Sequence, residues 1–509
     1  MGGSLPHSLY TAEQTRNLDA EAIQVHGISG IELMKRAGQA AFEAVLKQWP
    51  QIARGGTLQI FCGAGNNGGD GYIIAALARQ RYIPVRVVTL KDPDQLTGDA
   101  RKAWEWYRSL SGRTQPWSEL ISITGDLVID AMLGTGLTGE VSGDYASAID
   151  AINTSGKPVI AIDIPSGLSA DSGMALGRSI QADLTVTFIG MKRGLVTGTG
   201  PQVCGQIIFS DLQVPAAVYE TVPATAKLIK KRELTGLIHP RARDAHKGHY
   251  GHLLIVGGDH GMGGAAIMAA EAAMRSGAGL VTLATRPEHV MASMVRRPEV
   301  MARAVATGID LEALLKGKTA VVIGPGLGKE AWGAELLKVV LSSDLPVLLD
   351  ADALNLLAET PELLQARENC VITPHPGEAS RMLGVTIPEI AADRFGSVEQ
   401  LQALCGGAAV LKGAGSLVAV PENGHVCTYI CRAGNPGMAV AGMGDVLSGV
   451  IGALLAQGLS AAEAARLGVW LHASAGDECA KAEGEAGMAA TDLIPAVRRL
   501  INGLMAEEN

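Results

Sequence analysis

Short apolar runs that stop at glycine-rich turns recur along this chain, and helical stretches follow them. Residues 57–62 (TLQIFC) run into GAGNNGGDG and then YIIAALARQ. Residues 126–130 (DLVID) run into AMLGTGLTGE, and 158–163 (PVIAID) into IPSG. Later runs at 252–256, 320–323, 347–349, 371–373 and 408–411 lead into GGDHGMGG, GPGLG, DADALNLL, PHPGE and Lys412. Unbroken apolar runs bounded by glycine suit strands buried on both faces. Alternation with helices makes those strands parallel, so the expected fold class is α/β. A chain of 509 residues needs more than one core. The pattern lapses at 214–229, among Pro215, Pro223 and mixed small residues, which places the linker there. Before the first strand, 11–49 reads as two helical segments broken near Gly27 and Gly30.

In open α/β sheets the site lies at the carboxyl ends of the strands. In the first half these ends carry Asn67, Asp130 and Asp163, which points to one shared cleft. Asp163, fixed beside Pro165, is the candidate proton-transfer group. Gly63, Gly65 and Gly68 match GxGxxG, but a dehydrogenase also needs an acid at the end of the next strand. That strand, 84–90, runs into Lys91 and Asp92, where the acid is poorly placed. Side-chain oxygens from Asn66, Asn67 and Asp70 suit polar recognition or a hard cation, and also an ordinary Asn/Gly/Asp turn.

In the second half, 435–458 (NPGMAVAGMGDVLSGVIGALLAQG) reads as a glycine loop entering an apolar helix from Val446. Asp445 falls at or just before the first turn, where a carboxylate is a cap or a base beside a bound phosphate. For an Asp alone the cap is the better reading; a second glycine loop, 412–416 (KGAGS), favours phosphate chemistry. It is not a Walker A loop. His375, between two prolines and near Glu378, is a candidate ligand contact, while Ala269 and Ala270 read as packing.

The net charge of −9 argues against general nucleic-acid binding. No apolar run of ~20 residues calls for a membrane span. The start, MGGSLPHSLY, does not read as a secretory signal. Seven dispersed cysteines read as reduced thiols of a cytoplasmic protein rather than a zinc site.

Taken together, GPGLG, DADALN, TPHPGE, KGAGS and GMGDVLSG resemble the ribokinase-like superfamily and, more narrowly, the ADP-dependent NAD(P)H-hydrate dehydratases. GNNGGDG, DAMLGTGL and DIPSG resemble the NAD(P)H-hydrate epimerase domain. Both in this order resemble the bifunctional NAD(P)H-hydrate repair family. The resemblance implies two three-layer αβα domains: a Rossmann-like epimerase over 1–222 and a ribokinase-like dehydratase over 229–505. It implies that Asn66, Asn67, Gly68, Gly69, Asp70, Gly134, Thr135, Gly136, Leu137, Thr138, Gly139 and Glu140 hold the hydrated dinucleotide, NADHX or NADPHX. Asn67, Asp130 and Ser166 would bind a potassium ion, and Asp163 would contact the reacting centre. Ala265, Gly326, His375 and Asp445 would face the dehydratase substrate. Lys412, Gly413, Ala414, Gly415, Ser416 and Gly444 would hold the adenine nucleotide, with ADP as co-substrate and a magnesium ion on its phosphates. A homo-oligomer is expected. The superfamily usually has Thr where this chain has Met443, which removes a hydroxyl contact to phosphate. The rival expectations are a small-molecule kinase fused to a dinucleotide-binding module, and a first domain that senses dinucleotides without turning them over.

Overall fold

The computed structural model describes residues 5–506 and divides into two compact units, with the break between Lys227 and Leu228. Strands of the first unit are β1 (Ser8–Leu9), β2 (Leu58–Cys62), β3 (Val85–Thr89), β4 (Thr114–Pro116), β5 (Leu127–Ala131), β6 (Val159–Ile162), β7 (Leu184–Phe188) and β8 (Gln206–Ser210). Its sheet has the order β4-β3-β2-β5-β6-β7-β8, and every neighbouring pair is parallel. Alternate residues of each strand enter different cores. Leu58, Ile60 and Cys62 pack with Phe42 and Val45 of the helix Gly30–Gln48 and with Ile73 and Ile74 of the helix Asn66–Gln80. Phe61 and Val128 pack on the other side with Ile149 and Ile152 of the helix Gly143–Thr154. Three layers result, each fully buried Leu or Ile contributing about 1.5–3 kcal/mol.

β3 and β4 extend the sheet to one side of β2, and β5 to β8 to the other. The connections diverge between β2 and β5, so a crevice opens at their carboxyl ends. Contrary to the sequence reading, GNNGGDG is not a loop: the helix Asn66–Gln80 begins inside it. The glycines there serve packing. A Cβ at Gly68 would lie 2.1 Å from the Gly63 carbonyl oxygen, so only glycine lets the first turn press on the strand end.

The stretch read as linker is also partly ordered. It holds a helical turn, Val218–Thr221, and the strand β9 (Ala226–Leu228). β1 pairs with β9 antiparallel, Ser8 opposite Lys227 and Leu9 opposite Ala226.

Strands of the second unit are β10 (His252–Val256), β11 (Leu280–Thr285), β12 (Met301–Ala304), β13 (Ala320–Ile323), β14 (Val347–Leu349), β15 (Cys370–Ile372), β16 (Ala408–Leu411), β17 (Ser416–Glu422) and β18 (His425–Cys431). They run in the order β18-β17-β16-β15-β14-β13-β10-β11-β12. The order reverses between β10 and β13, a second switch point; β16, β17 and β18 form an antiparallel meander. Leu253, Ile255 and Val322 face the core made by the helices Gly263–Arg275 and Met443–Ala456. Leu254, Val256, Val321 and Ile323 are equally buried, so this sheet too is covered on both faces.

The helix Met443–Ala456 starts earlier than its apolar spacing suggests, because Gly442, at φ 93°, is its N-cap and supplies no side-chain cap. Asp445 lies inside the first turn, so the cap reading is replaced. This helix wedges against Gly263–Arg275 at glycine-sized separation: a Cβ at Gly449 would lie 2.2 Å from the Ala269 carbonyl oxygen. Among the described residues no helix is long and apolar enough to cross a membrane.

On an exposed helix Gly→Ala gains up to ~1 kcal/mol of propensity. Gly449→Ala should do the opposite here, lowering stability by about 1–3 kcal/mol through overpacking. A chemical-denaturation midpoint that rises in Gly449→Ala would refute the close contact.

Candidate active sites

The first-unit crevice contains a cavity of 690 Å³. Its walls come from the helix Ala12–Gln24 (Thr15, Asp19), the first turns of Asn66–Gln80 (Asn66, Asn67, Asp70), the loop after β5, and Asp163 and Lys192. Of the residues the resemblance implied, Gly134, Thr135, Gly136, Leu137 and Thr138 line it. Gly68 and Gly69 pack behind it, against Gly63 and Met34. Gly139 and the exposed Glu140 lie outside the lining.

Asp163 follows β6 with φ 66°, a left-handed conformation that costs of order 1 kcal/mol in a residue with a Cβ. Its N–H donates to the Val186 carbonyl (2.7 Å). Its Oδ1 is ion-paired with the ammonium of Lys192 and accepts from the Thr187 hydroxyl and the Phe188 N–H, both at 3.3 Å. Lys192 is 1% exposed and also donates to Thr187 Oγ1 (3.2 Å) and the Phe188 carbonyl (3.0 Å). Two more carboxyls feel the same ammonium. Burial lifts Asp19 to about 6, with Lys192 opposing and Asp163 reinforcing the rise. Burial also pushes Asp70 well above the carboxylate range, reinforced by Asp163 and Asp19. Asp19 and Lys192 were missed in the sequence. Neither stands in a motif, and only the fold brings them to Asp163.

Asp130, fully buried at the end of β5, is raised to about 6 by burial, against hydrogen bonds that favour its charge. Those come from Ser166 N (2.8 Å), Ser166 Oγ (2.5 Å) and Met132 N (3.2 Å). Ser166 Oγ in turn accepts from Leu133 N (2.8 Å), and the Leu133 carbonyl accepts from Asn67 Nδ2 (3.1 Å). The other end of that amide, Asn67 Oδ1, is buried without a hydrogen-bond partner. An orphan amide oxygen, a buried carboxylate and a hydroxyl linked in one chain are hard oxygen donors of low total charge, and they fit a monovalent cation. Among the described residues no three His, Cys, Asp or Glu side chains form a metal cluster.

In the second unit Asp350 follows β14 directly and is 1% exposed. It accepts from Lys412 Nζ (2.9 Å) and Ser448 Oγ (2.7 Å), tying β14, the loop after β16 and the helix Met443–Ala456 together. Ala351, next in the chain, is held at φ 49°. Lys412 also lies 3.7 Å from Glu378. Burial opposes the Lys412 charge, but Asp350 and Glu378 outweigh it and raise its pKa. Gly444 sits alongside: a Cβ there would lie 3.4 Å from Lys412 Nζ and 3.6 Å from Asp350 Oδ2. Asp445 is pushed to about 7, by burial first and then by Asp350, with Lys412 opposing. Asp350 was legible only as part of DADALN.

His375 N-caps the helix Pro376–Leu383, its Nδ1 accepting from Gly377 N (2.9 Å) and Glu378 N (3.3 Å). Burial lowers its pKa against the pull of Glu378. Ala265 and Gly326 are neighbours, since a Cβ at Gly326 would lie 3.3 Å from that of Ala265. The 412–416 loop is braced from within: Ser416 Oγ donates to Gly413 O (2.9 Å), and the buried Arg394 donates to Gly415 O (3.4 Å). Met443 is packed in the core.

Fold and sites define a two-unit α/β protein with a buried lysine–carboxylate cluster over each sheet, suited to proton and phosphoryl chemistry on small molecules. The NAD(P)H-hydrate dehydratase family matches residues 253–499, and the YjeF-related protein N-terminus family matches 30–194. The bifunctional NAD(P)H-hydrate repair enzyme Nnr of Coxiella burnetii is 48% identical over 97% of this chain and 99% of its own. The enzyme of that name from Escherichia coli is 42% identical over 99% of this chain and 96% of its own. A solved structure of the ADP/ATP-dependent NAD(P)H-hydrate dehydratase from Bacillus subtilis, co-crystallized with ATP and Mg2+, is 27% identical with a TM-score of 0.48, covering 54% of this chain and 98% of that one. The chain belongs to the bifunctional NAD(P)H-hydrate repair enzyme family.

Lys412→Met would leave Asp350 buried opposite nothing but a hydroxyl. Breaking a buried pair from one side typically costs about 3–5 kcal/mol. Thermal unfolding should show the second unit melting well below wild type, with Lys412→Arg falling in between; an unchanged melting temperature would mean that the pair is not a support of the fold.

Proposed function

We propose that this chain repairs hydrated nicotinamide dinucleotides. An epimerase domain over 1–222, within the first unit, interconverts the R and S epimers of NADHX and NADPHX. The second, over 229–505, dehydrates the S epimer to NAD(P)H while ADP becomes AMP and phosphate. The observation that carries the reading is Asp445, a carboxyl raised to about 7 in the first turn of a helix that no side chain caps. Bare first-turn amides attract phosphate, and a base poised near neutrality takes a proton efficiently.

The substrate hydroxyl at carbon 6 leaves poorly. Asp445 takes its proton as the oxygen attacks the terminal phosphate of ADP. The amides of Gly444 and Asp445 and the ammonium of Lys412 stabilise the charge that builds on the phosphoryl oxygens. The phosphorylated oxygen then departs, pushed by the ring nitrogen. Ala265, Gly326 and His375 contact the nicotinamide half, and Lys412, Gly413, Ala414, Gly415, Ser416 and Gly444 the adenine nucleotide. A magnesium ion, when bound, neutralises the phosphates.

In the first unit Asn66, Asn67, Asp70 and the loop from Gly134 to Thr138 bind the dinucleotide, with Gly68 and Gly69 packing behind them. Asn67, Asp130 and Ser166 would hold a potassium ion, which would supply fixed positive charge near the ligand. Asp163 exchanges a proton with the reacting centre. The free cysteines fit a reducing, cytoplasmic compartment.

The test follows absorbance of reduced nicotinamide from an epimeric mixture of hydrated NADH with ADP, magnesium and potassium. Wild type should convert the whole mixture. Asp163→Asn should still convert the S fraction but lose fast conversion of the R fraction, and Asp445→Asn should fall about 10²–10⁴-fold. Because Asp445 acts ionised, kcat/KM of the dehydratase should drop as pH falls through about 7. No NADH from wild type, with a stable phosphate ester formed from ATP and another hydroxylated molecule, would give the chain to kinase chemistry instead.

A further inference from the structure

The first-unit cavity holds more acid than one proton-transfer group needs. Asp19, Asp70 and Asp163 all line it, and one buried ammonium, Lys192, serves all three. That ammonium is committed to Asp163, the Thr187 hydroxyl and the Phe188 carbonyl, so Asp163 is the carboxylate whose charge is balanced. A second carboxylate in the same apolar wall, lined by Leu33, Met34, Phe188 and Ile189, has no such partner, and like charges sharing one site do not all ionise. Burial holds Asp70 furthest above the carboxylate range, so it keeps its proton, while Asp19, raised to about 6, can both give and take one. Asp19, on the helix Ala12–Gln24, stands in the cavity wall with Asp163 and the dinucleotide-facing loops.

We propose that Asp19 is the general acid of the first unit, working opposite Asp163 as base. This rests on the epimerase reading of that unit. The carbon that must invert is a hemiaminal carbon, bearing both the hydroxyl and the ring nitrogen. The Asp163 carboxylate removes the hydroxyl proton, and the oxygen electron pair forms a carbonyl. The bond from carbon 6 to the ring nitrogen breaks, its electron pair moves to nitrogen, and Asp19 delivers the proton that nitrogen takes up. The freed aldehyde turns about its bond to carbon 5 and presents its other face. The nitrogen attacks that face, returning one proton to Asp19, while the new alkoxide takes back the proton from Asp163. Both acids end as they began, and no oxidant, reductant or water is consumed. A single carboxylate would have to remove one proton and supply another in the same step; two groups separate those tasks.

The titratable and charged groups around Asp19 are Arg16 on its own helix, Asp70 on Asn66–Gln80, Asp99 on Gly98–Ser109, Asp163 and Lys192 beyond β6 and β7, and Tyr219 on Val218–Thr221. Asp19 acts in its protonated form, so the epimerase rate should decline as pH rises through about 6, whereas a limb from Asp70 would lie at higher pH.

The full chain is tested by following R-to-S conversion of hydrated NADH by chromatography between pH 5.5 and 9, with the uncatalysed rate subtracted. Asp19→Asn should lower kcat about 100-fold, leave KM within about twofold, and lose the declining alkaline limb. Dehydration of pure S substrate should be unchanged. Asp19→Glu should keep the limb and recover part of the rate, which separates loss of an acid from loss of fold. An Asp19→Asn enzyme within threefold of wild type, or one that keeps the alkaline limb, overturns the proposal. So does an equal loss in both variants with the pH profile intact. If Asp163→Asn is dead while Asp19→Asn is active, only the acid assignment fails. If wild type itself does not speed epimerisation, the reading beneath it fails.

Discussion

One lysine in each unit, Lys192 fully buried and Lys412 partly so, organises the carboxylates of its crevice. Lys192 is fixed to Asp163 with Asp70 and Asp19 nearby, and Lys412 to Asp350 with Glu378 and Asp445 nearby. At an effective dielectric near 20 a charge pair at about 4 Å gains ~4 kcal/mol, comparable to what desolvating the two ions costs, so such a pair is sustained only with good geometry. Each ammonium meets that condition with one carboxylate. Asp19 and Asp70 in the first unit and Asp445 in the second are left in low dielectric beside like charge, and their proton affinity rises. A single cation thus yields two kinds of acid in one cavity: a paired anion and a carboxyl poised near neutral pH.

Strain and packing hold the parts of each cluster in place. The chain leaves β6 and β14 through positive-φ residues that have side chains, Asp163 and Ala351. These conformations persist because the neighbouring strands fix both ends. Both crevices then receive a helix whose N-cap is glycine, Gly65 in one and Gly442 in the other, without a side-chain cap. Other helices, such as those after Thr307, Thr386 and Ser460, are closed by capping boxes. Leaving a first turn open forgoes about 1 kcal/mol of cap stabilisation and keeps its amides for a ligand anion.

What could be read in the sequence follows from the same physics. Strands covered on both faces are apolar along most of their length, so 57–62, 252–256 and 320–323 were legible, and with them the α/β class. Helix starts at Asn66 and Met443 were not, because a glycine needed for close packing is spelled like a glycine needed for a turn. β9 is three residues long and apolar at two of them, too little to stand out beside Pro223. Asp163 and Asp445 were visible because they end a strand or begin a helix beside glycines. Asp19 lies within an ordinary amphipathic helix, and Lys192 in a stretch with no repeat of its own, so nothing local marks either.

The two sites share their parts and differ in one requirement. Inverting a hemiaminal carbon needs a proton removed at one atom and supplied at another, with no charge leaving the substrate. Expelling hydroxide as phosphate needs one base and a place for anionic charge to build. The first unit answers with several carboxyls around Lys192. The second sets Asp445 within a helix first turn, with Gly444 small enough that Lys412 and Asp350 approach the backbone. A Cβ at Gly444 would lie at ordinary contact distance, 3.4 Å from the Lys412 ammonium and 3.6 Å from Asp350, so the charged pair reaches the open first turn of the helix.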